Sequence, residues 1–415
     1  MKRTATAALL TVLVVASAGT TAAAAAATST QGSGAVSEAQ SGSAYAGTHV
    51  QFDVRQNAVV NYSVGGDAAL DSVKVQSESA TDGGVGVDVG VDLSTVTSIA
   101  GSALSMRTSA NAGAEIAAEG SASMTAHDND HGILVVAAGG NSQVVVANVS
   151  EGTTAESESD SQVEVTTANG TQGTFVVVGN GSVTVNEDGD VSARLDSNSR
   201  LVFRAYPEEK SSEDDQTEEY IASGTATGEV YVEQQDGEMV TDTVTYSQQT
   251  AIAAEQAAED TVRVTVNRTR ERGKIVVTSV SEAAVGTVSD LNVAVDGEAA
   301  VEASAYSELE GAIGGDASRY MVKQSSTASS KAKVYVALSH FSKRTIEMTG
   351  SETTETTQTA QGTVTSETTT TAETTAADTT ESGGDGGETG GGAPGFGLGT
   401  ALVAVLGAAL YALRQ

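Results

Sequence analysis

Thr261-Val262-Arg263-Val264-Thr265-Val266-Asn267 decides the fold. Valine stands at every second position, with Thr, Arg, Thr and Asn around it. Successive side chains of a strand point to opposite faces, so this spacing makes one apolar face and one wet face. A helix would scatter the same valines around its axis. The pattern recurs in both directions along the chain. Val50, Phe52 and Val54 share a face, and Val85, Val87, Val89, Val91 and Leu93 alternate with Gly and Asp. Further runs stand at 133–136, 144–149, 162–166, 175–178, 182–186, 201–206, 229–233, 274–280, 291–295 and 333–338. Gly139-Gly140, Asn169-Gly170, Asn180-Gly181, Asp188-Gly189 and Asp296-Gly297 fall between runs. Such pairs supply the positive φ of tight turns.

Frequent short strands with these turns predict an all-β fold, built as one or two β-sandwich-like domains. A division is expected near the acidic loop at 207–219. The alternative is a β-solenoid, which suits the small side chains, although no fixed internal period is present. Helix candidates are few. Residues 250–260, TAIAAEQAAED, have the best local propensity, with Thr250 as a candidate N-cap. Residues 112–126 read as helix or as strand, because Ala and Ser alternate there.

The 415 residues include 54 acidic and 21 basic side chains, for a net charge of -33. The carboxylates are spread along the chain and lysine is scarce. This pattern fits a protein kept soluble in multimolar salt, where screening removes self-repulsion, and it reads as haloarchaeal. The same charge argues against nucleic acid as a partner. Cysteine is absent, which excludes disulfides, thiolate nucleophiles and Cys-ligated zinc. Tryptophan is absent too and aromatics are 4%, so the core must come from Val, Ala, Leu and Ile.

The ends of the chain differ from its middle. Met1-Lys2-Arg3, an apolar run and Ala-x-Ala sites make residues 1–27 a signal peptide, followed by a loose segment at 28–46. The β-rich ectodomain spans 47–350. A Thr-rich, then Gly-rich stretch at 351–393 cannot build a core and reads as an O-glycosylated stalk. Extended, it reaches on the order of 100 Å. Residues 394–415 begin Pro394-Gly395-Phe396, and 396–413 hold no charge. That run is roughly 18 residues, about 27 Å as a helix, a short transmembrane span closed by Arg414.

Pro394-Gly395-Phe396, the apolar run and the terminal Arg together resemble the PGF-CTERM sorting signal of archaeal surface proteins. The resemblance covers only about the last 23 residues. It implies recognition by an archaeosortase-type processing enzyme, removal of the tail and attachment of a membrane lipid, by the same logic as a GPI signal. The terminal basic cluster of that family is reduced here to Arg414 before Gln415.

Residues that might carry chemistry are few. His127-Asp128-Asn129-Asp130-His131 gathers two imidazoles and two carboxylates. His127, Asp128, Asp130 and His131 are therefore weak metal candidates, against the simpler reading of a solvated polar loop. Residues 186–190 resemble a calcium loop only loosely and read as a hairpin turn. His340 has no G-x-S-x-G partner and reads as a strand end, so neither a catalytic residue nor a cofactor is assigned. Arg263, Arg268, Arg270, Arg272 and Lys274, with a second group from Arg319 to Arg344, read as cross-strand salt bridges or as a basic face for an acidic neighbour such as an S-layer glycoprotein. Sequons stand at Asn61, Asn148, Asn169, Asn180 and Asn267. The sequence thus predicts a non-enzymatic, anchored cell-surface glycoprotein with a structural or adhesive role. A surface receptor for a solute or polymer is the alternative, and an envelope hydrolase comes third.

Overall fold

The computed structural model describes residues 40–43, 49–81, 92–108, 112–235, 238–270, 272–324 and 331–350. The signal segment, the alternating run at 85–91, the stalk and the sorting tail lie outside the described residues. All described strands belong to one compact unit. Among the described residues no helix is long and apolar enough to cross a membrane.

The fold is all-β and consists of four sheets. Sheet 1 has seven strands in the order Gln40–Ser43, Val50–Arg55, Ala58–Val64, Asp67–Ser77, Gln143–Val149, Val191–Leu195 and Gly181–Val185. Sheet 2 has eight: Thr154–Ser159, Gln162–Thr166, Gln172–Val178, Arg200–Tyr206, Leu134–Ala137, Ser123–His127, Gly113–Ala118 and Leu104–Thr108. Sheet 3 has six: Glu238–Thr245, Ala226–Gln235, Arg272–Ser281, Lys331–His340, Arg319–Gln324 and Val301–Glu302. Sheet 4 has five: Thr250–Ala258, Thr261–Arg268, Lys343–Thr349, Asn292–Val295 and Glu298–Ala299. Pairing is antiparallel except between Ala226–Gln235 and Arg272–Ser281, and between Val301–Glu302 and Arg319–Gln324. Stacked parallel coils would be needed for a solenoid, so that alternative falls.

Sheets 1 and 2 enclose one core, with Val50, Phe52 and Val54 facing Val163, Val165 and Phe175. Sheets 3 and 4 enclose another, in which Val262, Val264 and Val266 meet Val276, Val334 and Val336. A third core lies between sheets 2 and 3. It takes Val135, Val176 and Val202 from one sheet and Tyr231, Val277 and Tyr335 from the other. The result is two sandwiches stacked face to face, four layers deep. Sequence and layer correspond. Phe175-Val176-Val177-Val178, in an inner sheet, is buried along its whole length, because both faces are covered. Thr261–Arg268, in an outer sheet, alternates because one face is wet.

Two expectations are corrected. The segment at 207–219 is not a loop: Ser212–Ala222 is a helix whose cap, Ser211, forms a capping box with Asp214. Its Tyr220 and Ile221 enter the middle core with Leu309 and Ala312 of the helix Tyr306–Ala312. The helix candidate at 250–260 is a strand, paired from Thr250↔Arg268 to Ala258↔Thr261 around a turn in which Asp260 has φ 58°. Alanine serves either state, and the neighbouring strand decides it. The ambiguous stretch at 112–126 forms the antiparallel pair Gly113–Ala118 and Ser123–His127.

Candidate functional site

The run from His127 to His131 is not a solvated loop. His127, Asp128 and Asn129 are 7%, 1% and 2% exposed. Each side chain reaches a different part of the fold. His127 Nδ1 lies 3.0 Å from Asp242 Oδ1, and Asn129 Nδ2 donates to Asp242 Oδ2 at 2.7 Å. Asp128 accepts the backbone N–H groups of His49 and Val50, both at 2.9 Å. Asp130 pairs with Lys331, and His131 Nδ1 sits 3.2 Å from the Ala205 carbonyl oxygen. The four metal candidates therefore diverge and make no common metal site. They tie sheets 1, 2 and 3 to one turn. Gly132 ends that turn at φ 45°, where a Cβ would stand 2.5 Å from Val64.

Around this turn the middle layer is polar as well as apolar. Arg204, fully buried, pairs with Glu229, to which Tyr231 donates at 2.6 Å and Tyr246 also donates. Burial opposes the charge on Arg204, but Glu229 beside it holds the guanidinium firmly protonated. His131 packs edge-on against Tyr206 and Tyr231. Burial, aided by Arg204 and Lys333, pushes its pKa down to about 4, so it is neutral at ordinary pH.

A cleft of about 500 Å³ opens beside this network. One wall is the polar face of the strand Ser123–His127, namely Ser123, Thr125 and His127, whose apolar face (Met124, Ala126) fills the first core. The other wall comes from the edge strands Glu238–Thr245 and Thr250–Ala258, with Asp242, Thr243 and Ile252 among its residues. Arg200 also lines it, 7% exposed. The cleft is the candidate site. Composition gave no sign of Arg200 or Asp242, because the cleft joins strands far apart in the chain. The alternation Ser123-Met124-Thr125-Ala126-His127 did carry a signal, since it sets three polar groups on one face.

Two clusters have cation-ligand geometry: His49, Asp130 and Glu233, and Glu164, Asp215 and Glu218. Each already surrounds an ammonium. Lys331 bridges Asp130 and Glu233, and Lys210 meets Glu164 at 2.6 Å with Asp215 and Glu218 at 2.9 Å. Burial and the neighbouring Asp130 push Glu233 up to about 8, so its carboxyl donates to Asp130 at neutral pH.

The remaining sequence candidates separate. Asn186 uses its side chain within the hairpin at 186–190, accepting from Asp188 and Asp190 N–H and donating to the Val96 carbonyl. His340 ends the strand Lys331–His340, with Ser339 Oγ 3.0 Å from its Nδ1 and Arg344 on its other side. Arg263 bridges Glu255 and Glu347, and Arg344 meets Asp296. Arg268 and Lys274 contact carbonyl oxygens, and burial reinforced by neighbouring arginines lowers the pKa of both. Asn61, Asn169, Asn180 and Asn267 are exposed. Asn148 is half-buried in sheet 1, where it accepts from Ser72 at 2.8 Å and donates to Asp190 through the nitrogen a glycan would take. No protein-family profile and no curated protein matches the chain.

Proposed function

We propose that the protein is a glycoprotein anchored on the outer side of the archaeal cytoplasmic membrane, with a structural or adhesive role in the envelope. The carrying observation is where the folded chain ends. The last strand, Lys343–Thr349, is held in the interior of sheet 4, and the Thr-rich stretch starts directly after it. A rigid β stack thus passes straight into a tether and then into the Pro394-Gly395-Phe396 tail. Four of the five sequons are exposed on the stack, which suits a glycosylated surface; Asn148 is the poor candidate. Mass spectrometry of the C-terminal peptide from membrane-purified protein tests the anchoring. The expected peptide ends near Pro394–Phe396 and carries a lipid with two chains, because one chain holds only marginally. Intact Tyr411-Ala412-Leu413-Arg414-Gln415 on most molecules would reject processing.

One observation favours a second reading, capture of a solute at the surface. The cleft between the two sandwiches has a size typical of small-molecule sites.

A further inference from the structure

The floor of the cleft is set by strand register. Ser123 pairs with Ala137, and Ala137 pairs with Arg200, so the three lie in one row across sheet 2. Strands are about 4.8 Å apart, which puts Ser123 and Arg200 about 10 Å apart on either side of a small side chain. We propose that this cleft binds a small hydroxylated carboxylate of the sugar-acid class, with Arg200 as the contact for its anionic group. The inference deepens the capture reading and is independent of the anchor.

Arg200 is an exception among the buried cations. Arg204 is matched by Glu229, Lys333 by Asp214 and Lys210 by three carboxylates. Among the described residues Arg200 has no carboxylate partner, and its Nη1 makes one long contact, 3.4 Å to the Tyr246 carbonyl oxygen. A guanidinium carries five N–H donors in a planar fork, so most of its capacity is unused. Holding a buried cation without a counter-charge costs stability, and burial lowers the pKa of Arg200. An incoming carboxylate supplies that charge in the fork geometry that guanidinium favours.

The rest of the lining fits the remainder of such a ligand. Ser123 and Thr125 offer hydroxyls to ligand hydroxyls. Asp242 does not repel the anion strongly, since its two oxygens are committed to His127 and Asn129. No aromatic ring lines the cleft, so recognition rests on hydrogen bonds and charge, not stacking. Ionic strength selects the same site. In molar salt the Debye length is about 3 Å, which silences exposed cations such as Arg270 and Arg272 but screens a buried one far less.

Titration calorimetry of the full membrane-purified protein in detergent and molar KCl tests this, with glucuronate and glucose as probes. The expected result is saturable binding of glucuronate, none of glucose, and at least a tenfold loss in Arg200→Gln. Equal responses to both probes overturn the proposal, as does unchanged affinity in an Arg200→Gln protein that melts like the wild type. If that variant does not fold, Thr125→Leu, which fills the cleft from the opposite wall, must abolish binding, and retained binding overturns the proposal. The methyl glycoside of glucuronate separates two sources of the same chemistry: a free acid loses binding when capped there, and the end residue of a glycan does not. A negative titration leaves the anchoring reading intact, because that reading rests on the mass of the C-terminal peptide.

Discussion

Lysine is scarce in this chain, and several of its lysines sit between carboxylates in the interior. Lys331 is the instructive case, because its two partners differ. Asp130 stays ionised, helped by the hydrogen bond from Glu233 and by Lys331 itself, while Glu233 is raised to about 8 by burial and by Asp130. A group whose folded pKa lies above its unfolded value stabilises fully below the unfolded value and loses that contribution as pH rises through the folded one. For Glu233 the window runs from 4.5 to about 8. Glu233→Gln keeps a donor toward Asp130 and removes the titration. It should melt on the order of 5 °C higher than wild type at about pH 9 and alike near pH 5. Equal melting of the two proteins across that range would show that Glu233 is not protonated in the fold. His131 works in the opposite sense: its folded pKa of about 4 lies below the ordinary 6.5, so its neutral form stabilises above 6.5 and that contribution fades as pH falls toward 4. Neither residue could be read this way from the sequence. The partners of the 127–131 run lie 79 to 115 residues away for His49 and Asp242, and polarity without those partners looks like solvent exposure.

At the level of elements, the helix Ser212–Ala222 is the one long insertion between the halves of the stack. Its start depends on Ser211, whose hydroxyl and backbone N–H both bond Asp214 Oδ2, at 2.7 and 3.0 Å. Asp214 in turn holds Lys333 at 2.6 Å. Ser211→Ala should therefore cost about 1 kcal/mol, read as a lower denaturation midpoint at unchanged slope. A cost indistinguishable from zero would mean that Lys333 alone fixes the helix start. The cap was legible as Ser211-x-x-Asp214, yet the acidity of 207–219 suggested a loop, because no apolar stripe marks the helix beyond Tyr220 and Ile221. The strand Thr250–Ala258 erred the other way. Its alanines have helical propensity, but Ile252 and Ala254 pack inward at period 2 once Thr261–Arg268 lies beside them. Elements with one wet face, such as Thr261–Arg268, were readable outright. Which sheet faced which was not, because a run such as Phe175-Val176-Val177-Val178 says that both faces are covered and not by what.

At the scale of the whole molecule, the net charge of -33 meets an interior whose cations are largely paired. The surplus is therefore carboxylate, and much of it is exposed, as along Thr154–Ser159. Lowering salt from molar KCl to about 0.1 M lengthens the Debye length toward 10 Å and lets those groups repel one another. Circular dichroism should then show loss of the β signal and a falling melting temperature. Identical spectra and melting at both salt levels would remove the halophilic reading. A different consequence follows from the way the chain leaves the stack. Lys343–Thr349 runs between Thr261–Arg268 and Asn292–Val295, with seven residue pairs on one side and four on the other. Gly350 then passes so close to Val285 that a Cβ there would stand 1.9 Å from its carbonyl oxygen. Any tension carried by the tether enters the protein along this strand and loads both ladders in shear, so their bonds must yield together and not one after another. The attachment point is thus built as a mechanical clamp, and a pull from outside the cell is borne by the middle of a sheet instead of peeling away its edge.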